Sequence, residues 1–214
     1  MSENNNKTGK YILFDAAGVL VTFRADLRTE RMEKLCDLSP DKINSKLFTN
    51  PDSPGIAFDR GEILASDFFD LCCEIMGQEA TQEFAAKFRH AYCDIFEART
   101  EMGELLKELA EHHTIWLCSN TNTWHLEKMT EVCSYFAYFD FNVSSHKAGF
   151  IKPEPEIFEK ALKRAGVDPS EMIFIDDRQE NVAAASAQGI NAILFTSVAE
   201  LKAQLATLTS PVTT

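Results

Sequence analysis

The sequence lacks a basic stripe. It carries 21 lysines and arginines against 33 aspartates and glutamates, a formal net charge of -12. A surface of that sign repels phosphate backbones and anionic lipid headgroups, so neither nucleic acid nor a membrane is expected as a partner. No apolar run approaches the ~20 residues of a membrane span. Metal-type cysteine spacing is also missing: Cys36, Cys72, Cys73, Cys93, Cys118 and Cys133 include no CxxC pair. The vicinal Cys72-Cys73 lies in an apolar helical stretch and suits neither a tetrahedral metal site nor an ordinary disulfide. All six read as reduced thiols. The first ten residues are polar and Asn-rich with no apolar h-region. A cytoplasmic protein is the expectation, and an anionic substrate would need a local cation supplied by lysine, arginine or a metal.

What is present is a globular composition, 45% hydrophobic and 25% charged over 214 residues, enough for one sizeable core and a small accessory domain. Short apolar runs at 11–14, 114–118, 138–143, 172–175 and 192–195 read as buried strands. Helical periodicity precedes each of the last four, at 101–112, 123–133 (from a Thr cap), 154–165 and 179–188. Strands alternating with helices of this length predict an α/β fold, a parallel sheet with helices on both faces. The stretch 24–98 differs: it shows no convincing strand and has apolar residues at helical spacing, Phe68, Leu71, Cys72, Ile75 and then Phe84, Phe88, Tyr92, Ile95. It reads as a bundle of about four helices inserted after the first strand. Such an insert overhangs the crevice at the carboxyl ends of the strands, as a lid or specificity cap. The expected division is a core of 10–23 and 99–207, a helical cap of 24–98, and flexible termini at 1–9 and 208–214. Monomer and homodimer both stay open.

Four groups stand just after apolar runs or on the loops beyond them. They are Asp15, then Ser119-Asn120-Thr121, then Lys152-Pro153, then Asp176-Asp177. A right-handed parallel sheet gathers such strand ends along one edge. Three acids close together are electrostatically unfavourable unless a cation sits between them. Hard oxygen ligands favour Mg2+, which binds through one or two carboxylates plus a substrate phosphate. Ser119 can donate to a phosphoryl oxygen beside the N–H groups of the next helix. Lys152 offers compact positive charge to the phosphate and the nucleophile, and the Asp15 carboxylate can then attack phosphorus.

In these residues the chain resembles the haloacid dehalogenase superfamily. The four motifs are Phe14-Asp15-Ala16-Ala17-Gly18-Val19-Leu20, Ser119-Asn120-Thr121-Asn122, Gly149-Phe150-Ile151-Lys152-Pro153 and Ile175-Asp176-Asp177-Arg178. The second motif, with His125 beyond it, is most similar to bacterial phosphatases of the glucose-1-phosphate phosphatase type, as is Phe58-Asp59-Arg60-Gly61-Glu62-Ile63 in the insert. The resemblance implies a Rossmann-like core of strand order 5-4-1-2-3 with a helical cap. It implies Asp15 as nucleophile, Ser119 and Asn120 as phosphate ligands with Lys152, and Lys152 also as the charge-stabilising catalytic base. It implies a Mg2+ site of Asp15, the backbone carbonyl of Ala17, Asp177 directly, and Asp176 directly or through water. His125 and Arg60 are candidate substrate contacts.

One family feature is missing. Two positions past the nucleophile, where the superfamily usually has a second acid, the chain has Ala17. Such a general acid/base contributes typically 10²–10⁴-fold to rate. The first expectation is therefore a Mg2+-dependent phosphatase acting on a small phosphorylated metabolite such as a sugar phosphate, through an aspartyl-phosphate on Asp15. A metal-free haloacid dehalogenase and a non-catalytic phosphate-binding protein are the alternatives. The pair Asp176-Asp177 argues against the first of these, because an acidic pair makes sense around a cation.

Overall fold

β1 (Tyr11–Phe14) is the hub of the molecule. Its Ile12, Leu13 and Phe14 have no solvent exposure, and it pairs in parallel with β4 (Thr114–Ser119) on one side and β6 (Met172–Asp176) on the other. β5 (Phe141–Ser144) and β7 (Asn191–Leu194) form the edges, in the order β5-β4-β1-β6-β7. Numbered by these five strands alone and read from the β7 edge, that is 5-4-1-2-3, as expected. A computed structural model describes residues 9–209. The expected flexible termini therefore lie almost wholly outside the described residues.

Alternation along β1 divides the core. Ile12 and Phe14 face α6 (Glu101–His112) and α11 (Val198–Thr209), packing with Met102, Leu105, Leu106, Leu201 and Leu205. Leu13 faces the other way, onto Ile157, Phe158 and Ala161 of α9 (Pro155–Ala165) and Ala185 of α10 (Gln179–Ala187). A central strand buried on both faces needs apolar residues at every position, which is why the run is continuous rather than alternating. α9 starts where Pro155 supplies a fixed φ without losing a needed N–H, and stops at Gly166, whose φ is 67°.

The insert holds α1 (Ala25–Glu33), α2 (Pro40–Ile43) running into a π turn at 44–49, α3 (Pro54–Asp59), α4 (Ala65–Met76) and α5 (Gln82–Cys93). It has its own core of Met32, Leu47, Phe58, Phe68, Phe88 and Tyr92, where Phe58 stacks on Phe68 at 4.7 Å. Trp124 of α7 (Thr123–Val132) meets that cluster edge-on, 5.8 Å from each of these two rings.

Four details depart from the sequence reading. A two-stranded antiparallel ribbon, β2 (Val21–Phe23) with β3 (Phe96–Ala98), stands where the insert leaves and re-enters the core. These strands have three residues each and pair across the whole insert, so no local periodicity announces them. The run at 138–143 is a strand only from Phe141; Ser134–Tyr138 is a 3-10 turn. α11 continues to Thr209, past the expected end of the core at 207. The cap of α7 is Asn122, whose side chain accepts from the His125 N–H, rather than a threonine. Among the described residues no helix is long and apolar enough to cross a membrane.

Candidate active site

β1, β4 and β6 all run in one direction, so their carboxyl ends meet. The Asp15 N–H still donates to the Ile175 carbonyl at 2.9 Å, which ties its backbone to β6 while its carboxylate projects beyond the sheet. β6 ends on Asp176, and Asp177 follows. Asp15, Asp176 and Asp177 each offer a carboxylate oxygen, the three lying within 4.8 Å of one another.

Lys152 comes to this cluster from the loop between α8 (Ser145–Ala148) and α9. Its Nζ lies 2.8 Å from Asp15 Oδ1 and 2.6 Å from Asp176 Oδ2, and donates to the Cys118 carbonyl at 2.8 Å. These acceptors use all three of its N–H bonds. Burial alone would depress the Lys152 ammonium, but Asp15 and Asp176 outweigh it and hold it above the ordinary lysine value. Burial pushes the Asp15 carboxyl up; Lys152 pulls it back, and Asp176 adds to the rise. Burial and the Asp176 charge raise Asp177 as well.

The two buried acids have different duties. Asp176 spends its oxygens on protein: Oδ1 accepts from the Arg178 N–H at 2.9 Å, Asn181 Nδ2 lies 3.0 Å from both oxygens, and Oδ2 meets Lys152. Asp15 and Asp177, with Ala17, line a cavity of about 440 Å3, and Asp176 does not. The other walls are Gly18, Thr22, Phe23, Arg99, Asn120, Lys152, Arg178 and Asn181. Three carboxylates meet one ammonium in direct contact, an acidic excess that the nearby Arg178 offsets only in part. That excess, all on hard oxygen donors, fits a divalent cation such as Mg2+. Asp15 and Asp177 would hold it, with the Ala17 carbonyl as a further oxygen donor; Asp176, its oxygens already engaged by Arg178, Asn181 and Lys152, would reach it through water.

The remaining expected residues fall in two groups. Asn120 lines the cavity, with its side-chain amide hydrogen-bonded to the backbone of Lys152. Ser119 ends β4, 1% exposed, and is not among the cavity-lining residues. His125 and Arg60 do not line the cavity either. The His125 ring stacks on Tyr92 at 4.2 Å and its Nε2 lies 3.1 Å from the Tyr92 carbonyl. Burial, with Arg28 nearby, pushes its pKa down to about 3, so it stands neutral in the seam between insert and core. Arg60 forms an ion pair with Glu154.

Several functional neighbours escaped the sequence reading. Thr22 and Phe23 sit on the unforeseen ribbon. Arg99 donates to the carbonyls of Val19 and Gly18, at 3.0 and 3.2 Å, and so fixes the turn after Asp15. Asn181 orients Asp176; its signal was a polar residue five places on, inside the following helix. No residue of the insert itself, 24–98, lines the cavity.

The haloacid dehalogenase-like hydrolase family matches residues 10–189. The chain belongs to that family. It is 31% identical to a sesquiterpene phosphatase, astK, of Aspergillus oryzae, with 86% of this chain and 88% of the relative aligned. It is 28% identical to the D-ribitol-5-phosphate phosphatase of Bacteroides thetaiotaomicron, over 81% of this chain and 85% of that one. A crystal structure of a family enzyme from Bacteroides thetaiotaomicron, in complex with magnesium and inorganic phosphate, superposes with a TM-score of 0.79 at 27% identity. That match covers 90% of this chain and 98% of the other.

Proposed function

We propose that the protein is a Mg2+-dependent phosphatase that hydrolyses a small phosphorylated metabolite through an aspartyl-phosphate on Asp15. The observation that carries this reading is the placement of Asp15, Asp176 and Asp177 within 4.8 Å of one another around the Lys152 ammonium. One relative is named for a sesquiterpene and another for ribitol 5-phosphate, unlike leaving groups that have the phosphoryl end in common. The bound Mg2+ supplies charge neutralisation to the phosphate and the carboxylates.

Asp15 attacks phosphorus; a phosphorus–oxygen bond to the carboxylate forms and the ester phosphorus–oxygen bond breaks. Lys152 keeps the nucleophile ionised and aligned, and offers positive charge to the developing oxyanion. Water then attacks the same phosphorus, releasing phosphate and regenerating Asp15. Ala17 holds no proton, so the leaving oxygen departs as an anion or takes its proton from solvent. Substrates with acidic leaving groups, anomeric or acyl phosphates among them, therefore react best, and hydrolysis of the phosphoenzyme limits turnover.

The test is phosphate release from a panel of phosphate esters, sugar phosphates first, with and without Mg2+. The expected result is Mg2+-dependent release that Asp15→Asn abolishes. Chloride release from 2-chloropropionate without Mg2+, and no phosphate release from any ester, would assign the protein to dehalogenation instead.

A further inference from the structure

A second cavity, of about 460 Å3, opens at the far edge of the sheet, between β5 and the helices α8 and α9. Its size lies in the range of small-molecule sites. Four cations border it, Lys147 from α8 and Lys160, Lys163 and Arg164 from α9, and no acid does. In a chain with 33 acids and 21 bases this is an inverted local balance. None of the four makes an ion pair among the described residues; Lys160 donates to the Ala148 carbonyl at 2.5 Å. The chain as a whole repels anions, so a pocket whose charged lining residues are all cations is where one can approach and stay.

The apolar wall narrows the choice further. Phe141 is 36% exposed on the edge strand, and the Arg164 guanidinium carbon lies 4.8 Å from its ring centroid. A ring with a cation beside it favours a flat, polarisable group over an aliphatic one. Lysines and arginine on two facing elements suit a multiply charged phosphate. We propose that this cavity binds a phosphorylated compound bearing a flat ring, an anion of the nucleotide type. It lies at the β5 edge of the sheet, whereas the Asp15 cavity opens at the strand ends, and it shares no lining residue with that cavity. The inference is independent of the reaction at Asp15.

ADP is the probe, titrated calorimetrically in EDTA so that no metal recruits it to the acidic cluster. The expected result is one ADP per chain, with adenosine and pyrophosphate each about tenfold weaker or worse, since each keeps only one of the two recognised features. Lys163→Glu with Arg164→Glu should weaken ADP about tenfold or more by reversing the local field. Both positions are solvent-exposed on α9, so the melting temperature should hold. If that double variant does not fold, Lys147→Glu on the facing helix replaces it. Asp15→Asn should leave ADP affinity unchanged. No heat with ADP at about 1 mM overturns the proposal. So does pyrophosphate binding as tightly as ADP, or ADP binding that survives the charge reversals.

Discussion

Asn120 and Lys152 grip one another through two hydrogen bonds: the Lys152 N–H donates to Asn120 Oδ1 at 2.7 Å, and Asn120 Nδ2 donates to the Lys152 carbonyl at 2.8 Å. A side-chain amide here does what a neighbouring strand would do, satisfying both backbone groups of one residue. The Lys152 ammonium then returns to the carbonyl of Cys118, two residues before Asn120. The loop that delivers the lysine is thus pinned to the end of β4 by its backbone and by its tip.

Asn120→Ala should therefore lower kcat more than it raises KM. Losing both bonds costs about 1–3 kcal/mol locally, and a lysine free to move by an ångström loses about tenfold or more in rate. Steady-state kinetics on one phosphate ester, with inorganic phosphate as competitive inhibitor, checks it. If kcat holds while KM and the phosphate inhibition constant rise, Asn120 is a phosphate ligand and not a positioning residue.

Asp59 gives a pH dependence with a definite sign. Its Oδ1 accepts from Asn122 Nδ2 at 2.6 Å across the seam between insert and core, and Arg28 lies near enough to attract it. Burial outweighs both and raises its pKa from 3.8 to about 6. The folded protein then binds this proton more tightly than the unfolded chain, so between pH 3.8 and about 6 stability falls as pH rises. Asn at position 59 removes that cost, worth up to about 3 kcal/mol. The stability difference between Asp59→Asn and the parent, from urea unfolding, should climb from pH 4 to pH 6 and level off above 7. A difference that is flat with pH would mean Asp59 does not titrate in this window.

Much of the core was legible because each strand end carries its own signal. Asp15, Ser119 and Asp176-Asp177 follow continuous apolar runs, and a buried parallel strand has no other way to be written. The parts that were not legible depend on pairing across distance. Val21–Phe23 becomes a strand only because Phe96–Ala98 comes back beside it after the whole insert. His125, a candidate substrate contact by the family resemblance, is buried because the aromatic side chains of Tyr92 and Phe96 close over it from the far side of that insert. Asn120 was assigned to phosphate by its motif, and nothing in a one-dimensional string says that the backbone of a residue 32 positions on would take its amide.

Ala17→Asp tests the missing acid. Ala17 lines the cavity two residues past Asp15, so a carboxyl there reaches the space in front of the Asp15 carboxylate. It should raise kcat/KM, which reports the attack on the ester, on an alkyl phosphate by up to about 10²-fold, and change that of p-nitrophenyl phosphate much less, because that leaving group needs no proton. A gain confined to kcat and equal on both substrates would place the benefit in the water-activation step common to them. A large loss on both would mean that the cavity is built around the small side chain.

Gly18→Ala should damage metal binding and stability together. Gly18 has a φ of 88°, which a side chain adopts only with strain. A Cβ built there would stand 2.1 Å from Asp177 Oδ2, too close for any real contact. The backbone cannot retreat, since the Gly18 N–H donates to the Val21 carbonyl at 2.7 Å and Arg99 holds the Gly18 carbonyl at 3.2 Å. Asp177 is the freer partner and must swing away from the cavity. Backbone strain alone costs about 1 kcal/mol or more, and losing one carboxylate donor should raise the Mg2+ requirement about tenfold or more. Thermal unfolding and a Mg2+ titration of phosphatase activity measure the two effects separately. A variant that loses stability while keeping its Mg2+ dependence would show that Asp177 is not a ligand and that the close packing of Gly18 serves the turn alone.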